Sequence, residues 1–562
     1  MASIVGKRRG GQTYYYLVES ARVDGKPRIV SQQYLGSSDE VIGKLTGQDA
    51  GVPVRSRHKK FGDIAAVWSV IERLGVIEEI DQIVPRRTDA AASVGTYLAL
   101  AAANRIVDPV SKLGFADWFA TTAAARWVKI PTEALDHRRF WDAMDRVSTD
   151  DLARIETQIG RRIVAQYGLD LSGLVLDMTN FATFIDSGNE RAPIAQRGHA
   201  KQKRTDLRLV GLGLIATRDG GIPLISHTYP GDRPDVTQFP QMLAVLLERF
   251  TALGGTPAQV TVVYDAGQNS GPNHALIEAS GLGFVGSLPP SDHPDLLAKP
   301  RRGYRDADPD TLPGVTCLDT TVTALGATGR AVLTHSQTLH QAQHRGFDQT
   351  LAKARRHLTE LQARLGRGKT RRPREKVEAE IAEILRPRWV SQIITATVLG
   401  DSPAEFTLSW RTDQQARRRL ENRLFGKRIL FTNRDDWTCA EVIRAYRSQS
   451  QVEAGFRQMK DTDIVSFSPL HHFTDSKIRV HAFYCVLALA IAHLMRRETE
   501  RAGQPHSVGA IMRNLAALEE TVLLYHDGDK GRPRAQRLLT DMTAEQQNLA
   551  NIFEIQRYAP TR

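Results

Sequence analysis

The apolar residues of this chain change their period twice, and that change constrains the fold more than any other feature. From about 61 to 169 they recur at helical intervals, as in DIAAVWSVIERLGVIEEI and SVGTYLALAAANRIV, with Asp, Ser and Pro between the stretches. From 173 they arrive in short runs instead: GLVLD (173–177), LRLVGLGLIAT (207–217), IPLISHTY (222–229), QVTVVYD (259–265) and GFVGSLP (283–289). Asp219-Gly220-Gly221 makes a turn between the second and third runs. An amphipathic helix is expected over 236–250, before the fourth run, and a short one near 273–280, before the fifth. The expected order is βββαβαβ.

Helical period returns after 437, through 460 and again from 478 to 498. Between these parts, 290–430 reads as an insert: TCLDTTVTAL, RAVLTHS and SQIITATVL bracket a charged segment, 338–388, expected to form two helices joined by GRGKTRRPRE (366–375). The chain opens with a β-rich stretch, 12–35, folded about Asp24-Gly25.

Composition bounds the function. The 562 residues are 41% hydrophobic and 25% charged, as expected of a globular protein of several domains. The most apolar stretch, 482–494, is interrupted by His493 and is too short to cross a bilayer, so it reads as a buried helix; neither secretion nor membrane spanning is expected. Cys317, Cys439 and Cys485 are too few and scattered for a disulfide framework or a Cys-rich zinc site, which fits a reducing cytoplasm. Lys and Arg number 75 against 63 Asp and Glu, a net +12, so the expected partner is a polyanion, nucleic acid first.

Asp177 and Asp265 each end an apolar strand, where a carboxylate leaves the core for the crevice in which α/β sheets bind ligands. Either alone reads more simply as an Asp opening a turn. The segment YRSQSQVEAGFRQMK (446–460), taken as one helix, puts Tyr446, Glu453 and Lys460 seven apart on one face, with Gln449 and Phe456 beside them. Alone, that face would be solvated, with Glu453 paired to Arg457.

Together these residues resemble the DDE transposases of bacterial insertion sequences, in particular the group whose third acid lies in a signature of Tyr, two residues, Arg, three residues, Glu, six residues, Lys. The matches are LVLDMTNF around Asp177, VTVVYDAG around Asp265, and Tyr446, Glu453 and Lys460 at signature spacing, over roughly 160–500. Gln449 stands where the signature has Arg. Either Arg447 or Arg457 makes the signature's Arg contact from another face, or the contact is absent; Arg447 lies about 100° round a continuous helix from Tyr446, which favours absence unless the helix starts later.

The resemblance implies an α/β fold: a ribonuclease-H-like catalytic core with an inserted α+β subdomain, preceded by a small β unit and a helical domain. The implied division is a β-rich unit, 1–50; a helical, DNA-end-binding domain, 51–165; the first part of the core, 166–290; the insert with its charged helical hairpin, 291–435; the core's second part with the Glu453 helix, 436–500; and a helical tail, 501–562. It further implies double-stranded DNA as partner, both element ends and target, a homodimer in the DNA complex, no membrane, and action in the cytoplasm at the bacterial nucleoid.

The chemistry agrees. Phosphodiester cleavage needs a neutralised phosphate, an activated nucleophile and a stabilised leaving 3′ oxygen, which two divalent ions can provide. Hard Mg²⁺, with Mn²⁺ as substitute, wants carboxylate oxygens. Asp177, Asp265 and Glu453 would be the catalytic and metal-binding residues, Asp177 bridging from the central strand of such a core. Water would attack first, and the freed 3′-OH would then attack target DNA.

Expected DNA contacts are Tyr446, Arg447 and Lys460 on the Glu453 helix, Lys201, Lys203 and Arg204 in RGHAKQKR, and Lys477 and Arg479. Asp475 is an alternative N-terminal cap for the helix near 478. His340 and His344 are four apart but lack a metalloprotease Glu, and read as surface residues. Tyr14, Tyr15 and Tyr16 can stack on bases or pack a hairpin. A metal-dependent nuclease without strand transfer and a catalytically inactive DNA-binding derivative are the competing functions. The intact trio argues against the second.

Overall fold

The computed structural model describes residues 2–23, 26–46, 53–186, 188–198, 206–369, 371–525 and 534–560. The chain divides into two units, one of Met1–Val70, Lys112–Asp136 and Glu498–Arg562, the other of Ile71–Ser111 and His137–Arg497.

In the first unit, Ala2–Arg9, Gln12–Val23 and Lys26–Ser37 form an antiparallel three-stranded sheet. Asp24-Gly25 lie outside the described residues. Tyr14 and Tyr16, two apart on the middle strand, share one face and pack on Tyr34 with centroids 6.2 and 5.3 Å away, so packing occupies both. The tail expected to be helical is mixed: Glu519–Tyr525 pairs with Arg534–Leu539 and with Arg55–Lys60. Its EETVLLY alternates with the period of a strand, and inward-facing Glu520, fully buried, is held by Arg126 and Arg537.

The second unit is built on a nine-stranded sheet. In chain order its strands are β1 (Gly173–Ala182), β2 (Leu209–Thr217), β3 (Pro223–Pro230), β4 (Thr261–Val263), β5 (Gly283–Leu288), β6 (Arg305–Asp306), β7 (Val315–Ala324), β8 (Ala327–Ser336) and β9 (Lys427–Thr432). Their spatial order is β6-β7-β8-β9-β5-β4-β1-β2-β3. β1 pairs parallel with β4 and β4 with β5, while β2 is antiparallel to β1 and β3 is antiparallel to β2. Every residue of β2 and β5 is buried, the continuous apolar pattern of strands covered on both faces. Gly220 and Gly221 turn the β2–β3 hairpin at φ 82° and 59°, which glycine adopts without strain. Helices α1 (Asp235–Ala252) and α2 (Gly271–Ser280) stand where the periodicity predicts them.

Residues 291–435 contribute in two ways. β6–β9 extend the central sheet. Helices α3 (Gln337–Leu365), α4 (Arg374–Leu385) and α5 (Gln414–Leu424), with the hairpin of Ile394–Leu399 and Thr407–Thr412, enclose a separate core. Leu351, Leu358 and Leu365 recur every seven residues along α3, with Phe347, Ala354 and Leu361 completing the buried stripe.

After β9 come α6 (Cys439–Arg447), α7 (Gln449–Met459) and α8 (Asp475–Arg501). α8 is long and apolar enough to cross a membrane by length and composition, yet its most apolar window is 94% buried within the protein. Its buried His493 lies 2.7 Å from the Gly221 carbonyl and 3.3 Å from Gln458 Oε1.

Candidate functional site

Parallel pairing of β1 with β4 sets Gly173 beside Thr261, Leu174 beside Val262 and Val175 beside Val263. The paired residues end there; two residues further on, the same register would bring Asp177 beside Asp265. The chain at Asp265 is still extended, at φ −89° and ψ 162°, and Tyr264 N–H still donates to Val285 O. Because strand side chains alternate, both carboxylates leave the face that Val175 and Val263 share. Neighbouring strands are about 4.8 Å apart, so a register continued to these positions would make the two acids neighbours although 88 positions separate them (265 − 177).

Glu453 is exposed on α7, which packs against β1. Glu453 and Asp265 line one cleft of about 530 Å³, with Arg428, Tyr446, Arg447 and Gln449. Half-buried Asp177 is not part of that lining; its Oδ1 accepts from the Met178 N–H at 2.8 Å. Tyr446 hydroxyl donates to Asp265 Oδ1 (3.2 Å) and accepts from Arg428 Nη1 (3.1 Å). Burial above all, with the Asp265 charge, raises the Tyr446 phenol above its ordinary pKa despite Ser287 and Arg428, so it remains a donor. Lys460 Nζ donates to Thr179 Oγ1 at 2.7 Å, two residues beyond Asp177 on the same face of β1.

The segment expected as one helix is two. Ser448 Oγ donates to Ala445 O at 2.5 Å and the Gln451 N–H to Ser448 O, so the chain tightens and α7 restarts at Gln449. A serine hydroxyl bonding back to the preceding turn is a known cause of helix bending. The break changes the angular bookkeeping: Arg447, expected to turn away, lines the same cleft as Tyr446 and Glu453, and Gln449 is 6% exposed.

Other expected contacts fare differently. Lys201, Lys203 and Arg204 lie outside the described residues. Lys477 does not face solvent: it is 7% exposed, and its Nζ meets both Asp145 oxygens at 2.5 Å. Arg479 donates to Thr228 O and Oγ1 (3.1 and 2.9 Å), and burial lowers its pKa. Asp475 does not cap α8; its carboxylate accepts from the Ile194 N–H at 3.0 Å. His340 and His344 point to Glu421, at 3.1 and 3.7 Å. Arg428 had no sequence signal beyond its place in an apolar strand.

Among the described residues no three His, Cys, Asp or Glu side chains are grouped so as to hold a metal ion. The three acids offer only hard oxygen donors, a set whose chemistry fits Mg²⁺ or Mn²⁺. They share a neighbourhood without enclosing an ion.

No protein-family model matches the chain, and no curated protein matches it. One solved structure to which it is similar is a cryo-EM structure of piggyBac transposase synaptic complex with hairpin DNA. The identity is 9%, the TM-score 0.37, and the match covers 82% of this chain and 82% of that one. A likeness at that score carries no argument for fold or function.

Proposed function

We propose that the chain is a DDE-type transposase that binds the terminal inverted repeats of its element, cleaves DNA there and joins the 3′ ends to target DNA. The observation that supports this reading is the parallel β1–β4 register through Val175 and Val263, which, continued two residues, would set Asp177 beside Asp265, with the helix bearing Glu453 packed against β1. The order β3-β2-β1-β4-β5, with parallel pairing of β1 with β4 and β4 with β5 and antiparallel pairing of β2 with β1 and β3, supports a ribonuclease-H-like core.

Asp177, Asp265 and Glu453 would hold Mg²⁺ or Mn²⁺, which supplies charge neutralisation at the phosphate and activation of the attacking oxygen. Tyr446 fixes the Asp265 carboxylate, and Arg428 fixes the Tyr446 hydroxyl. Arg447 stands in the cleft as a phosphate contact, and Lys460 braces the Asp177 strand through Thr179. In the first step water attacks phosphorus, the P–O3′ bond breaks, and the 3′ oxygen leaves as a hydroxyl. In the second that hydroxyl attacks a target phosphorus and displaces its 3′ oxygen. A homodimer would hold two ends together, acting at the bacterial nucleoid in the cytoplasm.

The test is Asp177→Asn. Mg²⁺-dependent cleavage of element-end DNA should fall by about a thousandfold while end binding stays within a few-fold. Equal loss of binding and cleavage, or no loss of cleavage, would overturn the assignment.

A further inference from the structure

Lys427 and Arg428 are consecutive on β9 and so point to opposite faces of the sheet. Arg428 lines the cleft with Asp265 and Glu453; Lys427 lines another, on the reverse face, of about 750 Å³. β8 repeats the division, because Thr334, beside Arg428 in register, lines the first cleft, while His335, beside Lys427, meets Arg301 of the second.

The second cleft is lined by Lys299, Arg301, Arg419, Arg423 and Lys427 and by no acid. Among the described residues none of the five forms an ion pair with a carboxylate. Lys299 Nζ donates to Thr320 Oγ1 (2.6 Å), Lys427 Nζ to Leu297 O (2.7 Å), and Arg301 Nη2 to His335 Nε2 (2.7 Å). Elsewhere the same region neutralises its arginines: Arg417, also on α5, pairs with Asp348, and Arg364 and Arg372 share Glu380. Five cations in one concavity whose lining holds no acid raise a potential that favours an anion and costs stability without one; among them Arg419 also acts on a nearby carboxylate, lowering the pKa of Asp413. Lys427 bears that cost, since it is 7% exposed and burial, with Arg301 beside it, pushes its ammonium pKa down.

The shape favours an extended anion. Arg419 and Arg423, both exposed, stand one helical turn apart, about 6 Å along α5, so the charge forms a track rather than a point. The clefts meet at the start of β9, where Gly426 lines the first and Lys427 the second. Gly426 has φ +75°, and a Cβ there would meet His335 Nε2 and Ser336 O at 2.8 Å, so the chain passes between the clefts only as glycine.

We propose that this basic cleft holds the phosphodiester backbone of DNA whose reacting phosphate lies in the first cleft, a second grip that takes no part in the chemistry. The inference rests on the proposed function for what the first cleft cuts, and on the cleft's own charge for what it binds.

The experiment uses the full chain and a labelled duplex of arbitrary sequence, with binding followed by fluorescence anisotropy across a salt series. Arg419→Glu/Arg423→Glu should weaken binding by about tenfold or more and reduce the slope of log K against log[salt] by about 1.8, two phosphates at 0.9 each. Arg419→Gln/Arg423→Gln should change both in the same direction and by less, with thermal unfolding unaltered. The control Lys353→Glu/Arg356→Glu, on exposed positions of α3 outside the cleft, should cost much less. Wild type binding with the cleft variants indistinguishable from the control overturns the proposal and leaves the catalytic reading intact. Weakened cleft variants beside an Asp177→Asn protein that still cleaves would uphold the grip and overturn the catalytic reading. A wild type that binds no duplex overturns both.

Discussion

Two clefts lie back to back across β8 and β9, and they differ in charge. One mixes signs, with Asp265 and Glu453 facing Arg428 and Arg447; the other carries five cations and no acid. In the mixed cleft Tyr446 links the two signs, its hydroxyl donating to Asp265 and accepting from Arg428. Such a place can hold a carboxylate in one orientation, which chemistry needs. The basic cleft has no acid in its lining, so on the proposed reading that site attracts and grips a phosphate backbone without a carboxylate to hold a metal ion. Reaction and affinity are thereby given to opposite faces of the same two strands.

Substitution of the acids should break that division most sharply. Asp265→Asn and Glu453→Gln should each lower Mg²⁺-dependent cleavage by about a thousandfold at saturating DNA. Their dissociation constants should stay within a few-fold, because losing an acid lessens repulsion of phosphate. The basic-cleft variants should do the reverse, cleaving at nearly the wild-type rate once DNA is saturating. Cleavage and binding measured on one substrate decide the matter; acid variants that lose both equally would dissolve the distinction.

A smaller effect is expected at Tyr446, which touches the reacting region only through Asp265. Tyr446→Phe removes a hydrogen bond to a carboxylate acceptor, worth about 1.5–3 kcal/mol, so cleavage should fall by roughly ten- to a hundredfold. As a positioning residue it should lower the rate at saturating DNA without changing affinity, and raising the Mg²⁺ concentration should recover part of the loss. Gln449→Arg tests the neighbouring position. A residue 6% exposed must bury an added guanidinium, so this change should destabilise the protein by about 1–3 kcal/mol in chemical denaturation, although it restores the signature residue.

Legibility in the sequence followed the range of the forces involved. β1 to β5, α1 and α2 were readable because burial on both faces writes itself as short apolar runs and helical stripes. Asp177 and Asp265 stand out because each follows an apolar run, but only Asp265 lies just past its strand's end; β1 continues beyond Asp177 to Ala182, so Asp177 sits within the strand and not at its end. Arg428 did not, since its role comes from Tyr446, 18 positions away, and nothing local marks it. Lys477 and Arg479 looked like free cations, but Asp145 and Thr228 claim them through contacts more than 200 positions apart in sequence. The break at Ser448 was visible only as a serine, and a side-chain bond of one residue to its own preceding turn leaves apolar spacing unchanged. The basic cleft draws its cations from 299–301 and 419–427, so each contributing piece reads as an ordinary charged surface.

The finest distinction between the clefts is set by His335, beside Arg301 and Lys427. Burial first, then Arg301, His340 and Lys427, lower its pKa to about 4, so the neutral ring accepts from Arg301 at ordinary pH. An unfolded histidine titrates near 6.5. Between those values the unfolded chain binds a proton that the folded chain refuses, so this contribution to stability is complete above about 6.5 and is lost as pH falls towards 4. Half-buried His227 and buried His493, also lowered to about 4, act in the same sense. His335→Gln keeps an acceptor for Arg301 and removes one titrating group, so unfolding temperature should fall less steeply with acid than in wild type. Bound DNA should diminish the acid loss in wild type, because a phosphate beside Arg301 and Lys427 favours the imidazolium. In His335→Gln that DNA-dependent part should vanish. Melting curves from pH 7.5 to 5, with and without duplex, read both effects; identical acid slopes in the two proteins would remove His335 from the basic cleft's electrostatics.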